Sequence, residues 1–374
     1  MRGVITWRSG TVVSLGRTWA GAAELIVRTA EGDVRALAYR STVGDPAVGD
    51  RVLLNATALQ AGLGTGGYAL VVAVPDRLPP DPTAGPGHLV KARYTPLQTM
   101  VLGVDEQDSP AHATLRDADD LSGMPVVVAD LHSAVPAIVA GARWAAAEAG
   151  RPAPRVGYVL TDGGALPAWF SRTVAGLREA DWLDCCITVG QAYGGDLEAV
   201  TVHTGLLAAH LVRAVDLVVV AQGPGNLGTG TRWGFSGVAA GDAVNAAATL
   251  HGRPVASLRV SGADPRPRHR GVSHHSLTAY GRVALLPADL VVPIGDSPDP
   301  ATRELRSTVR DQAAELVAPL GRHRLAEVEV TSGLVAALAD CPVPLRTMGR
   351  GMADDPESFV AAAVAGVHAV RLLR

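Results

Sequence analysis

The chain has 374 residues, 48% of them hydrophobic and 18% charged, with a formal net charge of −3. That length can bury a large core in two or three domains. The charge balance excludes a global electrostatic pull toward DNA or an anionic membrane. Aromatic residues make up only 4%, while Gly (42) and Pro (25) are abundant. The core is therefore expected to be Ala, Val and Leu, the filling of a helix-covered parallel sheet.

Residues 1–78 read as short strands. "RGVITW", "GTVVSL", "AELIVRT", "DVRALAY", "DRVLLNAT" and "YALVVAV" are rich in Val, Leu and Ile, with Gly and Asp between them. Spacing of about 8–12 residues predicts a small β-barrel, OB-like or SH3-like. An OB-like barrel raises nucleic acid as a partner. The segment carries eight Arg against six Asp plus Glu, without a basic-aromatic cluster, so packing or oligomerisation is the stronger expectation. "PDRLPPDPTAGPG", Pro75–Gly87, has five prolines in thirteen residues. It forbids a helix and sets a Pro/Gly-rich linker over 79–90.

Beyond the linker the period changes. "MPVVVADLHSAVPAIVAGARWAAAEAG" is a buried strand followed by a helix, and "RVGYVLTDGGALPAWFSRTVAGLREA" repeats that order. The segments opening "CCITVGQAYGG", "DLVVVAQGPG", "PVASLRVSGAD" and "DLVVPIGDSPD" do the same. Two weaker units, "AEVEVTSGLVAALAD" and "PLRTMGRGMADDPESFVAAAVAGVHAV", close the chain. Strand–helix alternation implies βαβ units and a mainly parallel, helix-flanked sheet, Rossmann-like and doubly wound. Residues 91–374 are assigned to this α/β domain, with 296–374 as a C-terminal extension of the same sheet. Strand order is not legible.

The opening "MRGVITWRSG" has no continuous apolar stretch, so no secretory leader is expected. No apolar run has the length of a membrane span. Cys185 and Cys186 are adjacent, Cys341 stands alone, and no CxxC exists. Structural zinc on thiolates and a redox dithiol are not expected, and a reducing, cytoplasmic setting fits best.

Ligands of open parallel sheets bind outside the carboxyl ends of the strands. Here each strand is followed by a polar, Gly-rich loop: "ADLHS", "TDGGALP", "GQAYGGDLEA", "QGPGNLGTGTRWG", "SGADPRPRHRGVSHHS" and "TMGRGMADDP". They carry Asp130, His132, Asp162, Asp196, Glu198, His269, His274, His275 and Arg350. His132, Asp162, Asp196 and His274 are the catalytic candidates. His132 is the best general acid or base, since its reference pKa lies nearest neutrality. The plainer reading is that the three aspartates cap helices. A divalent metal is a second use of the same groups, and oxygen-rich ligation favours Mg or Mn. His274 and His275 are adjacent, so on a helix they diverge by roughly 100°. At most one is expected to face a shared site, which disfavours a dedicated zinc centre.

"QGPGNLGTGTRWGFSG", Gln222–Gly237, holds six glycines in sixteen residues. It lacks GxxxxGK[ST] and does not spell GxGxxG with a later acidic residue, so no ATP or NAD fingerprint is present. What remains is a backbone free to turn its N–H groups inward. Gly225, Gly228 and Gly230 give that freedom, and Thr229, Thr231 and Arg232 are extra donors. "PRPRHRGVSHHS", Pro265–Ser276, adds Arg268 and Arg270, with Ser273 placed to cap the following helix. Together these define an expected anion site. The plainer readings are a permissive connection and a solvated basic loop.

On "PGHLVKARYTPLQ", "EQDSP", "TDGGALP", "GGDLEAV", "GPGNLGTGTRWGFSG" and "RHRGVSHHSLTA" the sequence resembles a bacterial family known as domain of unknown function 3866. The resemblance runs from the barrel through "TMGRG", nearly the whole chain. It implies a bacterial, cytoplasmic protein and brings no activity with it.

The expectation is an enzyme that acts by hydrolysis or group transfer on a small anionic metabolite, phosphate- or carboxylate-bearing. The missing dinucleotide fingerprint argues against redox chemistry. The alternative is a metabolite-binding sensor whose barrel contacts a partner. A nucleic-acid-associated factor is the weaker third reading. No membrane partner is expected, and a homo-oligomer is compatible with the sequence.

Overall fold

The computed structural model describes residues 5–318 and 321–373. Of the first predicted strand, 2–7, residues 2–4 lie outside the described residues.

Strands β1 (Trp7–Trp19), β2 (Ala22–Thr29), β3 (Gly32–Tyr39), β4 (Arg51–Asn55) and β5 (Ala69–Ala73) close a barrel in the order β1-β2-β3-β5-β4. β3 and β5 run parallel, while β1 pairs antiparallel with both β2 and β4. Period-two alternation points Leu25, Val27, Val52, Leu54, Ala69 and Val71 into the barrel. The sequence reading splits β1 into two strands at Gly10. The structure makes it one, with register shifts after Val12 and Leu15 that bend it around the barrel.

Residues 78–88 contain neither helix nor strand. β6 (Leu89–Lys91) and β7 (Thr99–Val101) then form a small antiparallel hairpin. Contacts divide the chain into Met1–Val101 and Leu102–Arg374.

The second unit supplies β8 (Pro125–Ala129), β9 (Val156–Thr161), β10 (Cys185–Thr188), β11 (Leu197–Glu198), β12 (Leu217–Gln222) and β13 (Arg253–Ser257). A two-residue ribbon, β14 (Val260–Ser261) with β15 (Gly271–Val272), precedes β16 (Asp289–Ile294) and β17 (Arg324–Glu329). A second ribbon is β18 (Arg346–Thr347) with β19 (Arg350–Gly351). The eight-stranded sheet has the order β11-β10-β9-β12-β8-β13-β16-β17, and its neighbours pair in parallel. β8 is buried along its whole length. Val127 and Ala129 face one layer of core, Val126 and Val128 the other. This two-sided burial is why the strand reads as an unbroken apolar run.

Helices 135–148, 172–179, 332–339 and 356–371 pack on one face, and 202–207, 240–249 and 300–317 on the other. Side-chain caps start four of these seven: Ser171, Thr201, Asp299 and Thr331 accept from the first turn. Helices 135–148 and 356–371 approach very closely. A Cβ on Gly141 would collide with the Ala363 carbonyl, and one on Gly366 with that of Ile138. The extension 296–374 gives the sheet one strand, β17. "PLRTM" supplies β18 of the second ribbon instead of a sheet strand, and residues 342–351 hold only Val343 and Leu345 as buried apolar side chains.

Strand order determines where a ligand fits. β8 is followed by helix 135–148 on one face. Its neighbours β12 and β13 are followed by helices 240–249 and 274–278 on the opposite side of the sheet. The chain ends therefore splay apart at the carboxyl end of β8, the topological switch point of an open α/β sheet.

Candidate functional site

A cleft of about 400 Å³ opens at that switch point. Residues 131–133 after β8 form one wall, and the glycine loop from Gln222 to Gly230 after β12 forms a second. Arg259, Arg266, Arg268, His269 and His275, all after β13, form the third. Arg346, Thr347 and Met348 complete the rim. Four guanidiniums and three imidazoles thus face one volume. Among the described residues no Asp or Glu lines it. Gly225 and Gly230 carry positive φ (93° and 80°), which side chains rarely adopt, so the loop needs glycine at both. An added Cβ on Gly230 would lie 3.7 Å from Nη2 of Arg268, so the glycine loop and the arginine loop meet.

The arginines differ in how they are held. Arg266 makes a two-pronged pair with the buried Asp264, at 2.9 Å from both Nε and Nη2. Asp264 also receives Arg350 at 3.1 Å, and Arg350 reaches on to Asp355 at 3.2 Å. Hydrogen bonding from Arg266 holds the Asp264 carboxyl well below the usual carboxylate range. Arg268 is exposed and makes no ion pair among the described residues. Arg270 does not line the cleft, and its Nε donates to the Asp264 carbonyl at 3.0 Å. Ser273 is fully buried. It caps helix 274–278 by accepting from His275 N, and it also meets His269 Nδ1 at 2.7 Å.

Thr229 and Thr231 close their own loop. Their hydroxyls lie 3.1 Å apart, and Gly234 N donates to Thr231 Oγ1 at 3.1 Å. Arg232 faces a separate depression with Arg282 and Arg322. Gly228 is the third glycine of the loop in the cleft wall.

His132 sits in the cleft wall but is 8% exposed, with both nitrogens engaged. Nδ1 is 3.0 Å from Tyr158 Oη and Nε2 is 2.7 Å from Ser171 Oγ. Tyr158 gives its proton to the carbonyls of Ala221 and Gln222. It therefore accepts from Nδ1–H, and Ser171 donates to Nε2. Burial pushes the imidazole down to about 4. The partners of His132 are thus a phenol and a serine hydroxyl, and the ring is neutral.

Asp162 and Asp196 do not join His132 in the cleft. Asp162 Oδ2 accepts from Gln191 N at 2.8 Å, which ties the loops after β9 and β10 together. Asp196 accepts from Cys186 N at 2.8 Å and pairs with Arg178 at 3.2 Å, beside the edge strand β11. Neither caps a helix; each accepts from the backbone of a neighbouring loop or strand. Glu198 is buried and accepts from Thr188 Oγ1 and Gly194 N at 2.6 Å each.

Asp130, the first residue after β8, is 3% exposed, and its Oδ2 has no hydrogen-bond partner among the described residues. Burial raises its carboxyl to about 6, and the nearby charge of Arg259 pulls the other way. It lines a small pocket of about 30 Å³ that shares Leu131, Ser133, Arg259 and Thr347 with the cleft.

Of the adjacent pair only His275 lines the cleft, and His274 lines the depression beside it, yet the two rings lie together. Their ring centroids are 4.4 Å apart, and those of His269 lie 4.9 and 5.0 Å from them. Both rings approach His269 on the preceding turn. Phe235 stacks on His275 at 3.9 Å and fixes its plane. Burial lowers all three, His269 to about 4 and His275 to about 3. Adjacency in sequence gave no sign of this, because the turn 265–273 brings His269 back.

A small barrel followed by a doubly wound parallel sheet, with its cleft at the switch point, defines the class of protein. The chain belongs to the family described as protein of unknown function (DUF3866), whose model matches residues 35–366. A comparison with curated proteins gives no match. No helix among the described residues is long and apolar enough to cross a membrane.

Proposed function

We propose that the chain is a cytoplasmic enzyme that binds a small phosphate- or carboxylate-bearing metabolite in this cleft and acts on it by hydrolysis or group transfer. The observation that carries the reading is the lining of four arginines with no carboxylate. Like charges around one volume repel by on the order of 1 kcal/mol per pair at several ångströms in a polar medium. An anion removes that repulsion and gains charge-assisted hydrogen bonds. The positive-φ glycines let backbone N–H groups approach it. Asp130, in the small pocket that adjoins the cleft through Leu131, Ser133, Arg259 and Thr347, is the acid–base group of this reading, its carboxyl raised by burial toward neutral pH.

Calorimetric titration with inorganic phosphate and phosphorylated metabolites tests it. Arg268→Ala should weaken binding by roughly 1.5–3 kcal/mol, the range for hydrogen bonds to charged groups. Arg270→Ala should change it little. No anion binding to the wild type, or equal effects of the two changes, defeats the reading.

The internal hydrogen bonds of His132, Asp162 and Asp196 favour a second reading, a sensor that binds the same anion without turning it over. Asp130→Asn separates the two. An enzyme loses turnover and keeps binding, whereas a sensor shows no turnover to lose.

A further inference from the structure

The three histidines belong to two elements. His269 ends the turn Pro267–His269, and His274 and His275 open helix 274–278. One nitrogen from each ring lies within 4.8 Å of the other two. Nε2 of His274 is closed off from solvent and has no hydrogen-bond partner among the described residues. An enclosed polar nitrogen left unsatisfied calls for a partner. The nearest side chains in this cluster are two more imidazoles, and neither is hydrogen-bonded to it.

The surroundings orient the rings. Ser273 Oγ engages Nδ1 of His269 at 2.7 Å, so Nε2 is the nitrogen that ring would offer a metal. Phe235 holds His275 by parallel stacking. Ligating histidines are ordinarily fixed through their second nitrogen or ring face in this way. No carboxylate belongs to the cluster. An all-imidazole donor set suits zinc, copper or nickel and not magnesium or calcium.

We propose that His269, His274 and His275 form a binding site for a divalent transition metal ion, with Zn²⁺ the best fit. Tetrahedral zinc with Zn–N bonds of about 2.0–2.1 Å needs ligand nitrogens about 3.4 Å apart. The rings therefore draw together on binding, from nitrogen separations within 4.8 Å. Three protein ligands leave the fourth position open, the arrangement of catalytic rather than structural zinc. His269 and His275 both line the cleft, and His274 lines the depression beside it, so the cluster lies between the two. The charge environment sets a condition. Arg259 Nη1 donates to Nδ1 of His275 at 3.1 Å. A metal on Nε2 requires Nδ1 to carry the proton, so the Arg259 contact must open when the ion enters. Arg259→Gln then removes a competitor and a positive charge, and metal affinity should rise.

The test uses untagged full-length protein, stripped with a chelator and titrated with Co²⁺ alone, without phosphate. The site is therefore tested independently of the anion reading. One equivalent should bind with the intense d–d absorption of tetrahedral Co²⁺, and Zn²⁺ should displace it. His274→Ala should weaken binding roughly tenfold or more. His203→Ala, on the exposed surface of helix 202–207, should leave it unchanged. If His274→Ala does not fold by near-ultraviolet circular dichroism, His269→Gln takes its place with the same expectation. Absence of the tetrahedral spectrum, equal binding by the cluster and His203 variants, or weaker metal binding by Arg259→Gln overturns the proposal.

Discussion

Gln222 donates through Nε2 to the carbonyl oxygen of Asp130 at 2.9 Å, linking the ends of β12 and β8 beneath the cleft. The link leaves two buried acceptors unpaired among the described residues, Gln222 Oε1 and Asp130 Oδ2. A carboxylate buried in this way is costly when charged. Its pKa is raised by burial to about 6, against an ordinary value of 3.8. The folded state therefore holds its proton more tightly than the unfolded state. The protonated form favours folding, and stability is lost as pH rises from about 4 through 6. Asp130→Asn removes that loss. In denaturant unfolding the variant should gain on the wild type as pH rises, reaching about 1–3 kcal/mol above pH 7. A stability difference that does not change between pH 4 and 7 would contradict the raised pKa.

Gly366→Ala should destabilise the second unit by roughly 1–3 kcal/mol, the cost of overpacking where backbone cannot yield. The new Cβ meets the Ile138 carbonyl of the facing helix, not a flexible side chain. Gly228→Ala is the contrast. That position has open space and no positive φ, so unfolding should be near wild type. Equal midpoints for the two variants would show that helices 135–148 and 356–371 do not pack as closely as described.

How much of this was readable in advance varies with the range of the interaction. β8, β9 and β12 announce themselves because burial on both faces demands consecutive apolar residues, and the residues themselves show it. The glycine loop and the arginine loop are visible as composition, and the sheet brings them together at 3.7 Å between Arg268 and the Cβ position of Gly230. β11 is missed because two residues, Leu197–Glu198, carry no period. The roles of Asp162 and Asp196 are missed for another reason. Their partners Gln191, Cys186 and Arg178 lie on other loops, strands and helices, and no local pattern records which acceptor a distant N–H will reach. Ser171 and Tyr158, which engage both nitrogens of His132, likewise lie 39 and 26 residues away.

His132 should remain neutral well below its reference pKa. Its folded value is depressed to about 4 by burial, so the unfolded chain takes up a proton between about 6.5 and 4 that the folded one refuses. Its contribution to stability is complete above pH 6.5 and declines as pH falls toward 4. Nitrogen-15 spectra of labelled histidine at pH 5.5 should show one ring as the Nδ1–H tautomer, lost in His132→Gln. A doubly protonated His132 at that pH would contradict the hydrogen-bond chain from Ser171 to Tyr158.

Asp264 joins the segments that carry the cleft's cations. It receives Arg266 from its own loop and Arg350 from the β19 end of the second ribbon, and its side chain is 1% exposed. Arg346 and Arg266 reach the cleft from these two segments, so this one carboxylate helps fix their separation. Removing the charged partner of Arg266 leaves that guanidinium uncompensated, while Arg350 keeps Asp355, so the cost lies at or below the roughly 3–5 kcal/mol of a fully buried pair. Asp264→Asn should show that loss at pH 7. Arg266 hydrogen bonding holds the folded carboxyl below its ordinary range. The contribution is therefore full above about pH 4 and fades as pH falls further, and the gap between variant and wild type should narrow toward pH 3. Anion affinity should fall in the same variant, because the amide keeps only one acceptor oxygen and the two-pronged pair with Arg266 is lost. Unfolding at several pH values, together with phosphate titration, checks both effects. A variant as stable as wild type at pH 7, or one that binds phosphate with undiminished affinity, would show that the cleft does not depend on this carboxylate.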